Sequence, residues 1–425
     1  MRLEYNMHET FQQQGYSTDL ILNSQGKQAF THDYTGMALR NLYSKYKQML
    51  CISGSSPQRL KRLYNLAKLF SNENDLYYSD VDKLPLLDTP IVSSSVNELF
   101  SETINIVKRH NITACLTHTK TQSALTIGTN PTIEKSLEFI ALTLEGNDNP
   151  NESRCLVDIR PSVGGFSLTQ IKNASNWLIQ RRKLTKSLPP GKFPIVLAPG
   201  IGGILIHEVI GHQFELSKSF SAYSPVNFEK GHRLFSSNLT VVDAPFSLMP
   251  PESFDDEGTI KKKTILIKNG AVNSPLTDRH SAHTHPSYTL TGNGRRGSYL
   301  HFPESRMYNT YVENGADSPS NAISGIEYGF YVIQISYANC RHLTGDVKIC
   351  VGRAYIIRHG KITDHPATFI VEDNVSSFFN AKHVCNDFVL LPGYCHSTSG
   401  GLYIEHGSPT LGFGAVNIKS GFIHM

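Results

Sequence analysis

Two imidazoles and a carboxylate sit within seven residues of this chain, in Ile206-His207-Glu208-Val209-Ile210-Gly211-His212. Those groups suit metal-assisted hydrolysis. Cleaving an amide takes a Lewis acid to polarise the carbonyl and lower the pKa of an attacking water, and a base to accept that water's proton. Zinc does the first with three protein ligands and one open position. His207 and His212 are candidate ligands, with Glu208 as candidate general base. All three lie in an otherwise apolar stretch, where burying them without a partner is costly.

The spacing is unusual. Two histidines four apart share a helix face, but these are five apart, roughly 140° round a regular α-helix. One metal cannot bind both in that register. A π-bulge would return the rings to one side, and Gly211 is the residue expected to permit it. A third ligand is available late in the chain, where the turn Leu391-Pro392-Gly393-Tyr394-Cys395 ends in a thiol. Cys385 is the rival, without a turn signal around it.

Other candidates carry two readings each. Asn293, Arg295 and Arg296 lie in a Gly-flanked turn, where they could hold a substrate carbonyl or an oxyanion, or pair with Asp255 or Asp256. Asn309 and Tyr311 could orient the metal ligands or belong to a hydrogen-bonded core. His280, His283 and His285 read as a His-rich loop, solvated or holding a second metal.

The elements that must position these residues change character midway. Apolar spacing predicts helices over Leu39–Leu50, Ser56–Phe70, Asn97–Arg109 and Ile171–Lys186, and alternation predicts strands over Ala114–Gly128 and Glu138–Leu144. Glu145–Ser153 reads as an exposed loop, and Ser187–Lys192 as a linker. Beyond it come a strand over Phe193–Leu197, a Gly200–Gly203 turn and one apolar helix over Ile204–Phe214. Short β-branched segments follow at Leu239–Val242, Thr264–Lys268, Gly329–Tyr337, Asp346–Ile357 and Ala367–Val371. The expected class is α+β: a mixed helix/antiparallel-sheet N-terminal domain (1–188), then a β-rich C-terminal domain (189–425) carrying one zinc-binding helix.

Composition bounds the function. At 425 residues, 39% hydrophobic and 18% charged, the chain is an ordinary globular one. A net charge of +4 with scattered Lys and Arg leaves no nucleic-acid footprint. Seven irregularly spaced Cys fit free thiols in a reducing compartment. The N-terminus lacks the apolar core of a secretory signal, and the stretch Phe193–Ile210 is too interrupted to span a bilayer. The expectation is a cytoplasmic protein with no membrane partner.

The ordered motifs carry a resemblance. The Leu205–His212 string with Glu215 is followed by Asp255-Asp256-Glu257-Gly258-Thr259, Gly292–Arg296 with Ser298-Tyr299, Arg306–Tyr311, Gly393-Tyr394-Cys395 and Gly407–Leu411. Together they resemble the TldD/PmbA metallopeptidase family, and within it the catalytic TldD-type subunit, while the first 190 residues resemble it only loosely. The resemblance implies one zinc ion per chain, held by His207, His212 and Cys395, with Glu208 as base. It also implies hydrolysis of unfolded or flexible peptides, including trimming of ribosomally made ones, and a homodimer or a heterodimer with a PmbA-type sister subunit. The chain departs from the family after His212 (Gln213-Phe214), after Cys395 (His396-Ser397) and at Val332–Ser336, and these departures leave substrate preference and channel shape open. The competing function is a non-catalytic peptide-binding partner or chaperone with a structural zinc, against which the intact Glu208 argues. Gyrase modulation gains nothing from the near-balanced charge.

Overall fold

The computed structural model describes residues 7–23, 26–42, 47–53, 103–104, 107–127, 132–146, 154–160, 168–182, 184–219, 229–235, 239–245 and 253–423. These are mostly strand, with few helices. The helix expected over Ser56–Phe70 lies outside the described residues, as does most of the Glu145–Ser153 loop.

The N-terminal half is built on a six-stranded antiparallel sheet in the order β3-β2-β1-β4-β5-β6. Its strands are β1 (Met7–Asn23), β2 (Gly26–Leu42), β3 (Lys47–Ser53), β4 (Ile112–Ile127), β5 (Ile133–Gly146) and β6 (Arg154–Arg160). The helix expected over Leu39–Leu50 is therefore a correction: Leu39–Leu42 ends β2, and Lys47–Leu50 opens β3. Pairing along the whole length of β1 and β2 outweighs the local apolar spacing. The segment Asn97–Arg109 is helical where described, at 103–104 and 107–110.

Helix α1 (Leu168–Arg181) lies on one end of this sheet. Ile171, Ala174 and Leu178 recur at helical spacing and pack on Leu20, Ile112, Leu116 and Leu142. The far end carries a second cluster, where Phe11, Ala38 and Leu125 meet Tyr299 of the C-terminal half. Gly36 is needed there: a Cβ would fall 2.1 Å from the Tyr299 ring.

The C-terminal half closes five strands into a ring: β8 (Gly191–Leu197), β15 (Tyr328–Arg341), β16 (Asp346–Arg358), β17 (Lys361–Asn374) and β21 (Leu411–Ile423), which pairs back with β8. The stretch read as a linker belongs to this structure, since β7 (Lys186–Leu188) pairs with β21. So does β18 (Ala381–Val384). A second six-stranded sheet runs β11-β10-β9-β14-β20-β19. Its members are β9 (Val241–Asp243), β10 (Thr264–Lys268), β11 (Ala271–Val272), β14 (Asn309–Val312), β19 (Val389–Ser397) and β20 (Gly400–Ser408). A short pair, β12 (Gly294–Arg295) and β13 (Glu304–Ser305), sits apart. The strands expected from Thr264, Gly329, Asp346 and Ala367 are all present, the last three longer than their apolar cores.

Helix α2 (Ile201–Val209) packs against β15, β20 and β14, between the ring and the second sheet. It starts three residues earlier than expected, because Gly202 and Gly203 are helical. Their lack of a side chain serves packing: a Cβ on Gly203 would lie 2.4 Å from the Gly407 nitrogen. The helix docks at backbone-to-backbone distance on β20, and that contact sets its height over the sheet.

Candidate metal centre

Helix α2 ends at Val209. Ile210, at φ −115° and ψ −56°, donates its N–H to Ile206, and a 3-10 turn, Gly211–Phe214, takes over. The expected π-bulge is thus a correction: the register changes because the helix stops and the chain rewinds more tightly. Gly211 keeps a negative φ. What it supplies is space, since a Cβ would sit 1.9 Å from Met307 Sδ.

The rewinding brings the two rings together. His207 and His212 have centroids 4.7 Å apart and planes at 79°. Cys395, on β19, reaches in with Sγ 3.4 Å from His212 Nε2. One donor atom from each of His207, His212 and Cys395 falls within 4.8 Å of the others.

His207 is 4% exposed, and neither ring nitrogen has a hydrogen-bond partner. An imidazole buried this way costs free energy unless something else takes a lone pair. Two nitrogens and one sulfur form a set that suits zinc, with one position left open. The residues therefore fit the metal that the family resemblance implies.

Electrostatics divides the histidines. Burial, and then His212 beside it, pushes the His207 ring well below its usual value, so it is neutral. Burial also works against charge on His212, but the Glu215 carboxylate outweighs it and pushes that ring up to about 10. Glu208 stands next to the cluster, Oε1 4.0 Å from His212 Nε2. Burial holds its carboxyl above the usual carboxylate range.

Residues around the centre differ from those expected to serve it. Glu215 is fully buried, with Oε2 3.0 Å from His212 Nδ1. Arg306 donates from Nη2 to Cys395 Sγ at 3.1 Å, and its Nε lies 3.3 Å from Glu215 Oε1. Both were visible in the sequence only as motif members. His406 lines the same cleft, its Nδ1 unpartnered and burial pushing it down to about 4. Asn293 instead donates Nδ2 to Asp243 at 2.8 Å. Arg295 donates to the carbonyls of Met307 and Tyr403 and stacks on Tyr308. Asn309 is buried in β14, and Tyr311 meets Phe388 edge-to-face. None of these four lines the cleft, whereas His207, Glu208, His212 and Cys395 do. Cys385 is buried with Val196, Ala322 and Ile357, outside the cluster of candidate ligands. The His280–His285 segment is a short helix, Arg279–Thr284, capped by Asp278 rather than a loop.

The cleft holds about 1740 Å³ and runs between β15, β16, β17 and β21 on one side and β19 on the other. Thr143, Glu145 and Arg181 of the N-terminal half complete its wall. Pockets for drug-sized ligands run to about 300–1,000 Å³, so this cleft has room for a longer occupant.

The sequence model of the PmbA/TldA metallopeptidase C-terminal domain matches residues 190–420. The chain belongs to the PmbA/TldD family. A metalloprotease TldD homolog of Buchnera aphidicola (subsp. Acyrthosiphon pisum) is 34% identical over 180 residues, which is 42% of this chain and 37% of the relative. A zinc metalloprotease TldD homolog of Saccharolobus solfataricus is 28% identical over 223 residues, 52% of this chain and 49% of the relative. The chain thus aligns with about half, or less, of the length of these relatives. The solved TldE of Thermococcus kodakarensis shares the fold, with a TM-score of 0.72 at 17% identity over 98% of this chain and 97% of that one. The gathered residues lie inside the stretch that carries the family match.

Proposed function

We propose that this PmbA/TldD family member is a zinc-dependent peptidase that hydrolyses unfolded or flexible peptides in its cleft. The observation that carries this is the convergence of His207, His212 and Cys395 with both His207 nitrogens unpartnered. Zinc held by these three would supply Lewis acidity to the scissile carbonyl and lower the pKa of an attacking water. Glu208 then takes that water's proton and returns it to the departing amine. Its carboxyl, lifted by burial, is matched to a role that alternates between base and acid. Arg295 would bear on substrate through Tyr308 and Asn293 through the Arg306 carbonyl, while Asn309 and Tyr311 would hold β14 in place beneath the ligands.

The cleft's rim bears on the substrate. Tyr337, Leu343, Tyr394 and Phe422 are half or more exposed, and all line it. Solvent-facing apolar side chains concentrated at one cleft suit an extended peptide with apolar residues. Processing of a ribosomally made peptide and a cytoplasmic site of action belong to the same proposal. No helix among the described residues is long and apolar enough to cross a membrane. Two units, 1–188 and 189–425, acting with a second copy or a sister subunit, complete it; the family match begins at residue 190.

Glu208→Gln in zinc-loaded protein is the deciding experiment. Mass spectrometry of apolar-rich unstructured peptides should show cleavage by the parent protein and a loss of about 10²–10⁴-fold in the variant, with zinc content unchanged. Undiminished cleavage would remove Glu208 from the mechanism. Tight peptide binding without cleavage by the parent would leave the non-catalytic reading.

A further inference from the structure

We infer that Arg306 is the positioning residue of the metal centre, fixing the Cys395 sulfur directly and the His212 ring through Glu215. The inference rests on the zinc site proposed above and assigns work to a side chain that holds no metal.

Arg306 is 1% exposed, and its guanidinium meets five acceptor atoms. Nη2 donates to Cys395 Sγ at 3.1 Å and to the Cys395 carbonyl at 3.2 Å. Nη1 donates to Ser399 Oγ at 2.7 Å and to the Gly400 carbonyl at 3.3 Å. Nε lies 3.3 Å from Glu215 Oε1, and the other oxygen of Glu215 lies 3.0 Å from His212 Nδ1. Since Cys395 Sγ is 3.4 Å from His212 Nε2, four side chains close a loop: His212, Glu215, Arg306, Cys395.

The loop ties together parts of the chain that lie far apart in sequence. His212 stands on a 3-10 turn outside the ladder of α2, and Cys395 lies on β19, at the edge of the second sheet. A thiol on an edge strand and an imidazole on a single turn would each be free to move by a fraction of an ångström. A metal centre tolerates little of that, and the groups that orient its ligands commonly change affinity about 10- to 100-fold when removed. Arginine suits the task because its planar fork presents fixed donors in two directions; lysine, a single point charge, reaches one. A purely structural pairing of Arg306 with Glu215 gives no reason for Nη2 to address both the sulfur and the carbonyl of one ligand residue.

The test uses the full chain stripped of metal and titrated with Co2+, and with Zn2+ against a chromogenic chelator. Arg306→Met and Arg306→Lys should bind both ions about 10- to 100-fold more weakly. The thiolate-to-cobalt absorption should shift or vanish, and lysine should not rescue it. Ser399→Ala removes one anchor of Nη1 from a small side chain, and should weaken binding several-fold with the fold intact. Lys135→Met, in an ion pair with Asp256 at 2.7 Å, should lower stability and leave affinity and absorption alone. A folded Arg306 variant with parental affinity and absorption overturns the inference. If both Arg306 variants fail to fold, Ser399→Ala decides, and parental values there overturn it equally. A parent protein that binds neither ion takes down the metal site itself, a result distinct from all of these.

Discussion

His207 is a side chain whose burial is unfavourable until something else completes it. Both nitrogens are shielded from water without a partner, a state that costs about 1–3 kcal/mol. His207→Leu should therefore abolish zinc binding while leaving the metal-free protein as stable as the parent, or more so. Thermal melts in chelator, read beside zinc titrations, check both halves; strong destabilisation in chelator would mean the ring has a structural role instead. Cys395→Ser tests the third position, with zinc affinity falling at least tenfold and the Co2+ thiolate absorption lost. The histidines and Glu208 were legible in the sequence because their types and spacing are chemically unusual for an apolar stretch. Glu215 and Arg306 were not, since a buried carboxylate or guanidinium reveals its task only through what surrounds it.

At the scale of elements, the candidate ligands meet because α2 stops at Val209 and a 3-10 turn follows. Five-residue spacing announced an irregularity but not its kind. The tight turn wins because Gly211 lies flat against Met307, leaving no volume for a side chain. Gly211→Ala should push the turn off Met307 and reduce zinc affinity by an order of magnitude or more, measured by chelator competition. Gly203→Ala separates packing from propensity. In an exposed helix that change stabilises by about 1 kcal/mol, but here the Cβ meets the Gly407 backbone at 2.4 Å. Urea unfolding should show a loss instead, and a gain would mean α2 sits farther from β20. The strands at Leu39–Leu42 and Lys47–Leu50, in place of a helix, have a related origin. Leucines spaced for a helix also fit a strand, and the choice went to β1, a partner whose pairing local sequence does not encode.

At the scale of the molecule, the N-terminal sheet joins the C-terminal half through buried charge. Glu9 and Arg40 of the sheet pair with each other, Arg40 reaches Glu257 at 2.6 Å, and Arg296 reaches Glu9. Burial works against charge on Glu9, and the guanidiniums of Arg40 and Arg296 outweigh it, holding its carboxyl below the usual range. Lys135 of β5 pairs with Asp256. Burial opposes the charge there too, but Lys135 and Arg296 bring that carboxyl from 3.8 down to about 2. A depressed carboxylate stabilises the fold fully above its unfolded value near 3.8, and the contribution is lost as pH falls towards about 2. That lowering corresponds to about 2 kcal/mol. Asp256→Asn should cost about that much near neutrality and flatten the stability profile between those two pH values. Denaturant titrations across that range measure it, and a parallel profile offset by a constant would assign the pair no linkage.

Residue types and spacing alone reveal which side chains could do the chemistry, that the late half is rich in strands and that histidines five apart cannot share a regular helix face. Those follow from residue type, alternation and spacing, which are local. Long-range packing is what places Cys395 rather than Cys385 beside the histidines, keeps Asn293 and Arg295 off the cleft, and sets Glu215 and Arg306 against the candidate ligands. These depend on which strand lies beside which helix. That choice is made by closure of the β8–β15–β16–β17–β21 ring and by backbone contact at Gly203, between residues far apart in the chain.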